Sequence, residues 1–169
     1  MESFLLRLEG VSHGNLQGMQ KGAYGVYTGD SRQHWDYTKI IKCLPFLADW
    51  GVITTVRHPY ERARSEFRYQ VSEGQAPKDT DINEWIQNGK IWSKAYDYHG
   101  MPQAAYLGPD PILLRHESLD SDFRAYFGET LPYHHLKTKR TERDELDDKS
   151  KRLIFNKWGV DFDTLGYAP

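Results

Sequence analysis

Apolar residues along the chain follow two periods. Short runs rich in β-branched and aromatic residues occupy 23–27, 51–56 and 111–115, and predict strands. Between and after them the spacing becomes helical, over residues 37–47, 60–71, 82–96, 119–127 and 142–158. In the second of these helices Tyr60, Ala63, Phe67 and Val71 fall on one face, which is the face expected to be buried. Gly128 ends the fourth as a C′ glycine. Thr141-Glu142-Arg143-Asp144 comes close to a capping box at the head of the last, and the Glu145/Lys149 and Asp147/Lys151 pairs at i,i+4 describe its solvated side. Segments 74–81 and 99–111 read as loops long enough to border a site. There is no internal repeat and no low-complexity stretch, and the alternation of strand and helix predicts the α/β class.

Composition narrows the picture. With 169 residues, 38% of them hydrophobic, 27% charged and 14% aromatic, the chain has the balance of one folded domain spanning 1–169. A net charge of -2 argues against a broad electrostatic footprint for nucleic acid, while leaving room for a local basic cleft that takes a small anion. The single cysteine, Cys43, has no partner for an internal disulfide and reads as a small apolar residue. No run approaches the ~20 apolar residues of a membrane span, and Met1-Glu2-Ser3-Phe4 does not start a signal peptide, so the expectation is a soluble, cytoplasmic chain without a membrane segment.

The candidate chemistry lies after the second predicted strand. Gly51-Val-Ile-Thr-Thr-Val56 brings the chain to Arg57, and Pro59 stands where a helix would start, its fixed φ suited to the first turn. The carboxyl end of a strand in an open α/β sheet is where ligands dock, and free N–H groups at a helix start favour an anion. Arg57 adds a planar fork of donors suited to phosphate oxygens, and Ser65, about two turns into the helix, can donate its hydroxyl to the same group. The plainer alternatives are a surface salt bridge for Arg57 and a helix serine with a local polar contact for Ser65. Arg62 and Arg64 read as the solvated or ion-paired side of that helix.

Arg57-x-Pro59-x-x-Arg62-x-x-Ser65, with its apolar strand before it and Phe67 and Tyr69 after it, resembles the 3′-phosphate element of sulfotransferases. These enzymes use 3′-phosphoadenosine 5′-phosphosulfate (PAPS), and the similar branch is that of the carbohydrate and heparan sulfate 2-O-sulfotransferases. Further stretches are similar in order: Gln33-His34-Trp35-Asp36-Tyr37 to the segment carrying the family's catalytic histidine, and residues 112–123 to its late strand and helix. His135-Leu136-Lys137-Thr138-Lys139-Arg140 is similar to a basic loop that closes over the nucleotide, and Asp161-Phe162-x-x-Leu165-Gly166-Tyr167 to the closing motif. The resemblance implies a P-loop-type three-layer α/β/α fold with a short, mainly parallel central sheet. It implies PAPS as co-substrate and a hydroxyl-bearing acceptor such as a carbohydrate. By the same resemblance Arg57 and Ser65 bind the 3′-phosphate, Lys137 and Thr138 close over the nucleotide, and no metal takes part. A truncated eukaryotic member of the family would belong to the Golgi lumen.

Sulfuryl transfer asks a protein to align acceptor oxygen, sulfur and leaving phosphate and to take up one proton. His34 is the candidate base, with a structural hydrogen bond as its plainer alternative. His116, His134 and His135 match no tight metal-ligand spacing. The departure from the family lies at the other end of the cofactor. A lysine-bearing glycine loop for the 5′-phosphosulfate is absent from the sequence, since Glu9-Gly-Val-Ser-His-Gly14 lacks the lysine and Lys21-Gly22 lies too close to His34. Either the chain begins downstream of such a loop or another group replaces it. The alternative to an active sulfotransferase is therefore a nucleotide-binding or interaction module derived from one. A P-loop kinase-like enzyme is disfavoured, because no Gly-x-x-x-x-Gly-Lys-Ser/Thr occurs.

Overall fold

A computed structural model describes residues 35–92, 97–131 and 142–169. The strand expected at 23–27 lies outside the described residues, as do His34, Lys137 and Thr138. Among the described residues there are two strands and a larger set of helices, a mixed α/β arrangement.

The first helix, α1 (Tyr37–Cys43), is capped by Asp36, whose carboxylate accepts from the Lys39 N–H at 2.8 Å. It stops short of the expected 47 because Pro45 has no N–H to continue the ladder, and Pro45–Leu47 forms a separate 3₁₀ turn. Strand β1 (Ile53–Val56) follows, and Pro59 opens α2 (Pro59–Ser72). The side of α2 expected to be buried is buried: Ala63 and Phe67 lie in the core, with Tyr60 and Val71 packed against it.

The helix expected over 82–96 is shorter, α3 (Ile82–Gln87). Gly89 takes a φ of 69°, which breaks the helical run and leads into a 3₁₀ turn over Lys90–Trp92. A short α4 (Asp97–Gly100) and a 3₁₀ turn over Gln103–Tyr106 then occupy part of the expected loop before β2 (Ile112–Arg115). Helix α5 (Leu119–Phe127) has the expected bounds and is capped through Gly128, whose N–H donates to the Arg124 carbonyl at 2.8 Å.

The last helix, α6 (Asp148–Leu165), starts later and ends later than its sequence pattern implied. The N-cap is Asp147, accepting from the Ser150 N–H at 2.6 Å, and Glu142–Asp144 forms a 3₁₀ turn of its own. The helix bends at Trp158, where φ is -116° and ψ is 24°, and continues to Leu165.

β1 and β2 pair in parallel, with Ile53 opposite Ile112 and Val56 opposite Arg115. A parallel pair needs a long crossover, supplied here by α2, α3 and α4. Alternation along the strands sets Ile53, Ile112 and Leu114 on one face of the pair, where Leu119 and Phe123 of α5 cover them. The larger core gathers α2, α3 and α6 through Phe67, Ile82, Trp85, Ile86, Ile154, Trp158 and Phe162. Both strands thus end, at Val56 and Arg115, beside the start of α2 and the far end of α6. Among the described residues no helix is long and apolar enough to cross a membrane.

Candidate functional site

The chain leaves β1 at Val56 and turns into α2 within two residues, Arg57 and His58. The backbone groups of this turn are all engaged. The Arg57 N–H donates to Gln103 Oε1 at 2.9 Å, and the His58 N–H donates to Glu117 Oε1 at 2.7 Å. His58 is also the N-cap of α2, its Nδ1 accepting from the Tyr60 N–H at 3.2 Å. A ring nitrogen that accepts must be unprotonated, so Nε2 carries the hydrogen and donates to the Ala168 carbonyl at 3.0 Å. The sequence pattern suggested free N–H groups at this helix start. Instead those of 57, 58 and 60 are spent on protein acceptors, because the turn is packed between β2, the 103–106 turn and the C-terminal segment.

Side chains are what the turn leaves available. Arg57 and Ser65 line one cleft of about 220 Å³, together with Arg62, Glu66, Gln103 and His116. Among the described residues the Arg57 guanidinium makes no hydrogen bond or ion pair. Burial lowers its pKa, an effect opposed by the nearby Glu117 carboxylate, and a guanidinium remains a cation throughout. Glu117 itself is disfavoured as an anion by burial. Hydrogen bonds from the His58 N–H and the Tyr167 hydroxyl outweigh that and hold it below the usual carboxyl value. Tyr167 is pushed up to about 12 by burial and by Glu117, against the pull of Arg115, so at neutral pH it is a donor.

Arg62 is a more enclosed cation. Its Nη2 donates to the His99 carbonyl at 2.9 Å, its guanidinium lies 4.5 Å from the centre of the Trp158 ring, and Nη1 is 3.7 Å from Asp161 Oδ2. Nη1 is buried and makes no hydrogen bond among the described residues. Burial lowers the pKa of Arg62 and Asp161 works against that. Arg64 is held elsewhere, by the Asp144 carbonyl and Glu61. The two arginines assigned to the polar side of α2 are therefore ion-paired and not solvated.

On the far side of the cleft Glu66 meets His99, with Oε2 2.9 Å from Nδ1. Burial opposes ionisation of Glu66, but hydrogen bonds from His99 and Gln70 prevail and lower its pKa. The bond to Glu66 raises that of His99, against burial. The His99 ring also stacks on Tyr69 with centroids 6.1 Å apart.

The structure thus brings two of the sequence-derived candidates, Arg57 and Ser65, to one cleft, while His34, Lys137 and Thr138 lie outside the described residues. Sequence reasoning did not select Glu66, Gln103 or His116. Glu66 was within reach, since Arg62 and Glu66 are i,i+4 neighbours on the side of α2 next to Ser65. Gln103 lies in the 99–111 segment expected to border a site, and His116 enters the sequence reading only as a metal-ligand candidate. Nothing local ties either to this cleft, because they arrive through the crossover and from the end of β2. Trp85 is buried in the core and Trp92 packs against it, so neither indole lines this cleft. A larger hollow of about 570 Å³ beside α1 includes Lys39, Lys42, Cys43 and Met101, and none of its lining residues belongs to β1 or α2. Comparison with family models, with curated proteins and with solved structures finds no match to this chain.

Proposed function

We propose that this chain is a PAPS-dependent sulfotransferase, built on a three-layer P-loop-type α/β/α plan and moving a sulfuryl group to a hydroxyl acceptor, with carbohydrate as the candidate class. The observation that carries the reading is the cleft at the end of β1, which Arg57 and Ser65 both line and where the Arg57 guanidinium makes no hydrogen bond or ion pair among the described residues. A cleft of about 220 Å³ is smaller than the several hundred Å³ that enclose a whole drug-sized ligand, and suits one phosphate group with the edge of its ribose. The Arg57 fork would hold two phosphate oxygens and the Ser65 hydroxyl a third.

The chemistry that follows is a single displacement. The acceptor oxygen attacks sulfur, the bond from sulfur to the 5′-phosphate oxygen breaks, and adenosine 3′,5′-bisphosphate leaves with the electron pair. His34 takes the acceptor proton, and Lys137 and Thr138 close over the nucleotide. Binding energy gathered at the 3′-phosphate is spent on aligning the distant sulfur.

A second reading, a nucleotide-binding module without turnover, is favoured by one observation: the sequence contains no lysine-bearing glycine loop for the 5′-phosphosulfate. Radiolabelled PAPS with a panel of glycans separates the two. Label transfer that Arg57→Ala lowers by about 10- to 100-fold, the worth of a charge-assisted pair, supports the enzyme. Equal binding of PAPS and adenosine 3′,5′-bisphosphate with no transfer between pH 6 and 8 supports the module. Absence of binding to either removes both.

A further inference from the structure

Arg57 is the first residue beyond β1, and no neighbouring strand fixes its peptide groups. A side chain does so instead. Gln103 accepts from the Arg57 N–H at 2.9 Å through Oε1 and donates to the Arg57 carbonyl at 2.8 Å through Nε2, so one amide takes the place of a paired strand. Gln103 is itself held from behind. Its N–H donates to Asp161 Oδ2 and the next N–H, of Ala104, donates to Oδ1, each at 2.8 Å. Asp161 stands on α6 and is fully buried, and Gln103 is only 8% exposed.

A carboxylate out of water is costly unless it is fully paired, and this one is paired by two N–H groups and by Arg62 at 3.7 Å. Its two acceptors meet the open start of the Gln103–Tyr106 turn, which Pro102 does not cap. Capping a four-residue turn does not call for a buried charge from a separate helix. The arrangement does something a local cap cannot: it runs from α6 through Gln103 to the backbone of the residue whose guanidinium lines the cleft.

Resting on the assignment of Arg57 to a 3′-phosphate, we propose that Gln103 and Asp161 are positioning residues for the anion site, fixing the peptide of Arg57 and through it the placement of the guanidinium. Asp161 does not line the cleft, and Gln103 lines it with both polar atoms of its amide already engaged by Arg57. Anion recognition by a planar fork tolerates little misplacement, so loosening the Arg57 peptide lowers discrimination for the phosphate.

The test uses calorimetry on the full chain with two probes, adenosine 3′,5′-bisphosphate and adenosine 5′-monophosphate, and reads the ratio of their affinities. Gln103→Met keeps the volume and removes both bonds. It is expected to lower the ratio about tenfold, and to add no further loss when Arg57→Ala is already present. Gln103→Glu keeps an acceptor for the Arg57 N–H but sets a carboxylate oxygen against the Arg57 carbonyl and adds a negative charge to the cleft lining, so its loss is expected to be at least that of Gln103→Met. An unchanged ratio in these variants, or losses that add to that of Arg57→Ala, overturns the positioning role and leaves the phosphate assignment standing. A wild-type ratio near one overturns that assignment, and the positioning role with it.

Discussion

At the scale of single residues the Glu66–His99 pair gives the cleft a measurable response to pH. The two pKa values move apart, with Glu66 lowered and His99 raised, so the charged pair is favoured in the folded protein. The part due to His99 is fully present below its ordinary value of 6.5 and is lost as pH rises through its raised folded value. The part due to Glu66 is present above 4.5 and is lost as pH falls through its lowered folded value. Both act together between those two values. Thermal midpoints of the wild type and of Glu66→Gln should differ most between pH 4.5 and 6.5 and draw closer as pH rises through the raised His99 value. A smaller difference remains there, because Gln70 still donates to Glu66. A difference independent of pH would mean that the pair is held as neutral partners. A partly exposed pair of this kind is worth no more than about 1 kcal/mol, so the effect is a shift of a few degrees.

At the scale of elements the structure depends on close approaches as well as on burial. Gly108, in the segment leading to β2, lies against Val52 and Tyr37, and a Cβ there would stand 2.5 Å from Val52 Cγ2 and 2.7 Å from the Tyr37 ring. Gly108→Ala should therefore destabilise the fold by about 1–3 kcal/mol, the usual cost of overpacking, as read by denaturant midpoint. Elements were legible where one local cause decided them. The apolar face of α2, the bounds of α5 and the strands at 53–56 and 112–115 follow from periodicity and turn residues that nothing tertiary opposes. Where two local signals competed, the pattern misled. The run over 82–96 keeps helical spacing, yet Gly89 at positive φ ends it, and at the head of α6 the cap at Asp147 prevailed over the one suggested by Thr141. Arg57 and Ser65 were legible as neighbours because strand, turn and helix are consecutive. Gln103, Glu117 and Asp161 were not, since what they hold lies 46 to 59 positions away in sequence.

At the scale of the whole molecule the C-terminal segment acts as a brace across the ends of both strands. Arg115 donates to the Leu165 carbonyl at 2.7 Å and lies 4.8 Å from the centre of the Tyr167 ring. Gly166, at a φ of 68°, turns the chain so that Tyr167 can donate to Glu117 at 3.0 Å. Removing residues 166–169 takes away that donor and the carbonyl that His58 engages. The shortened chain should keep its core, lose a few degrees of thermal midpoint, and bind adenosine 3′,5′-bisphosphate several-fold more weakly, since Glu117 then holds the His58 N–H without the Tyr167 hydroxyl behind it. Unchanged affinity would show that the brace does not reach the cleft.

The hydrogen bonds that shape the Arg57–His58 turn join it to positions 46, 59 and 110 residues away along the chain. None of these three can form until those long loops have closed, so only the His58 cap on the Tyr60 N–H is local and the rest of the turn is completed after the crossover and the last helix have docked. A ligand bound there would slow global unfolding as a whole, protecting amides throughout the core in hydrogen exchange. Proteolytic fragments ending before β2 would be unable to bind at all.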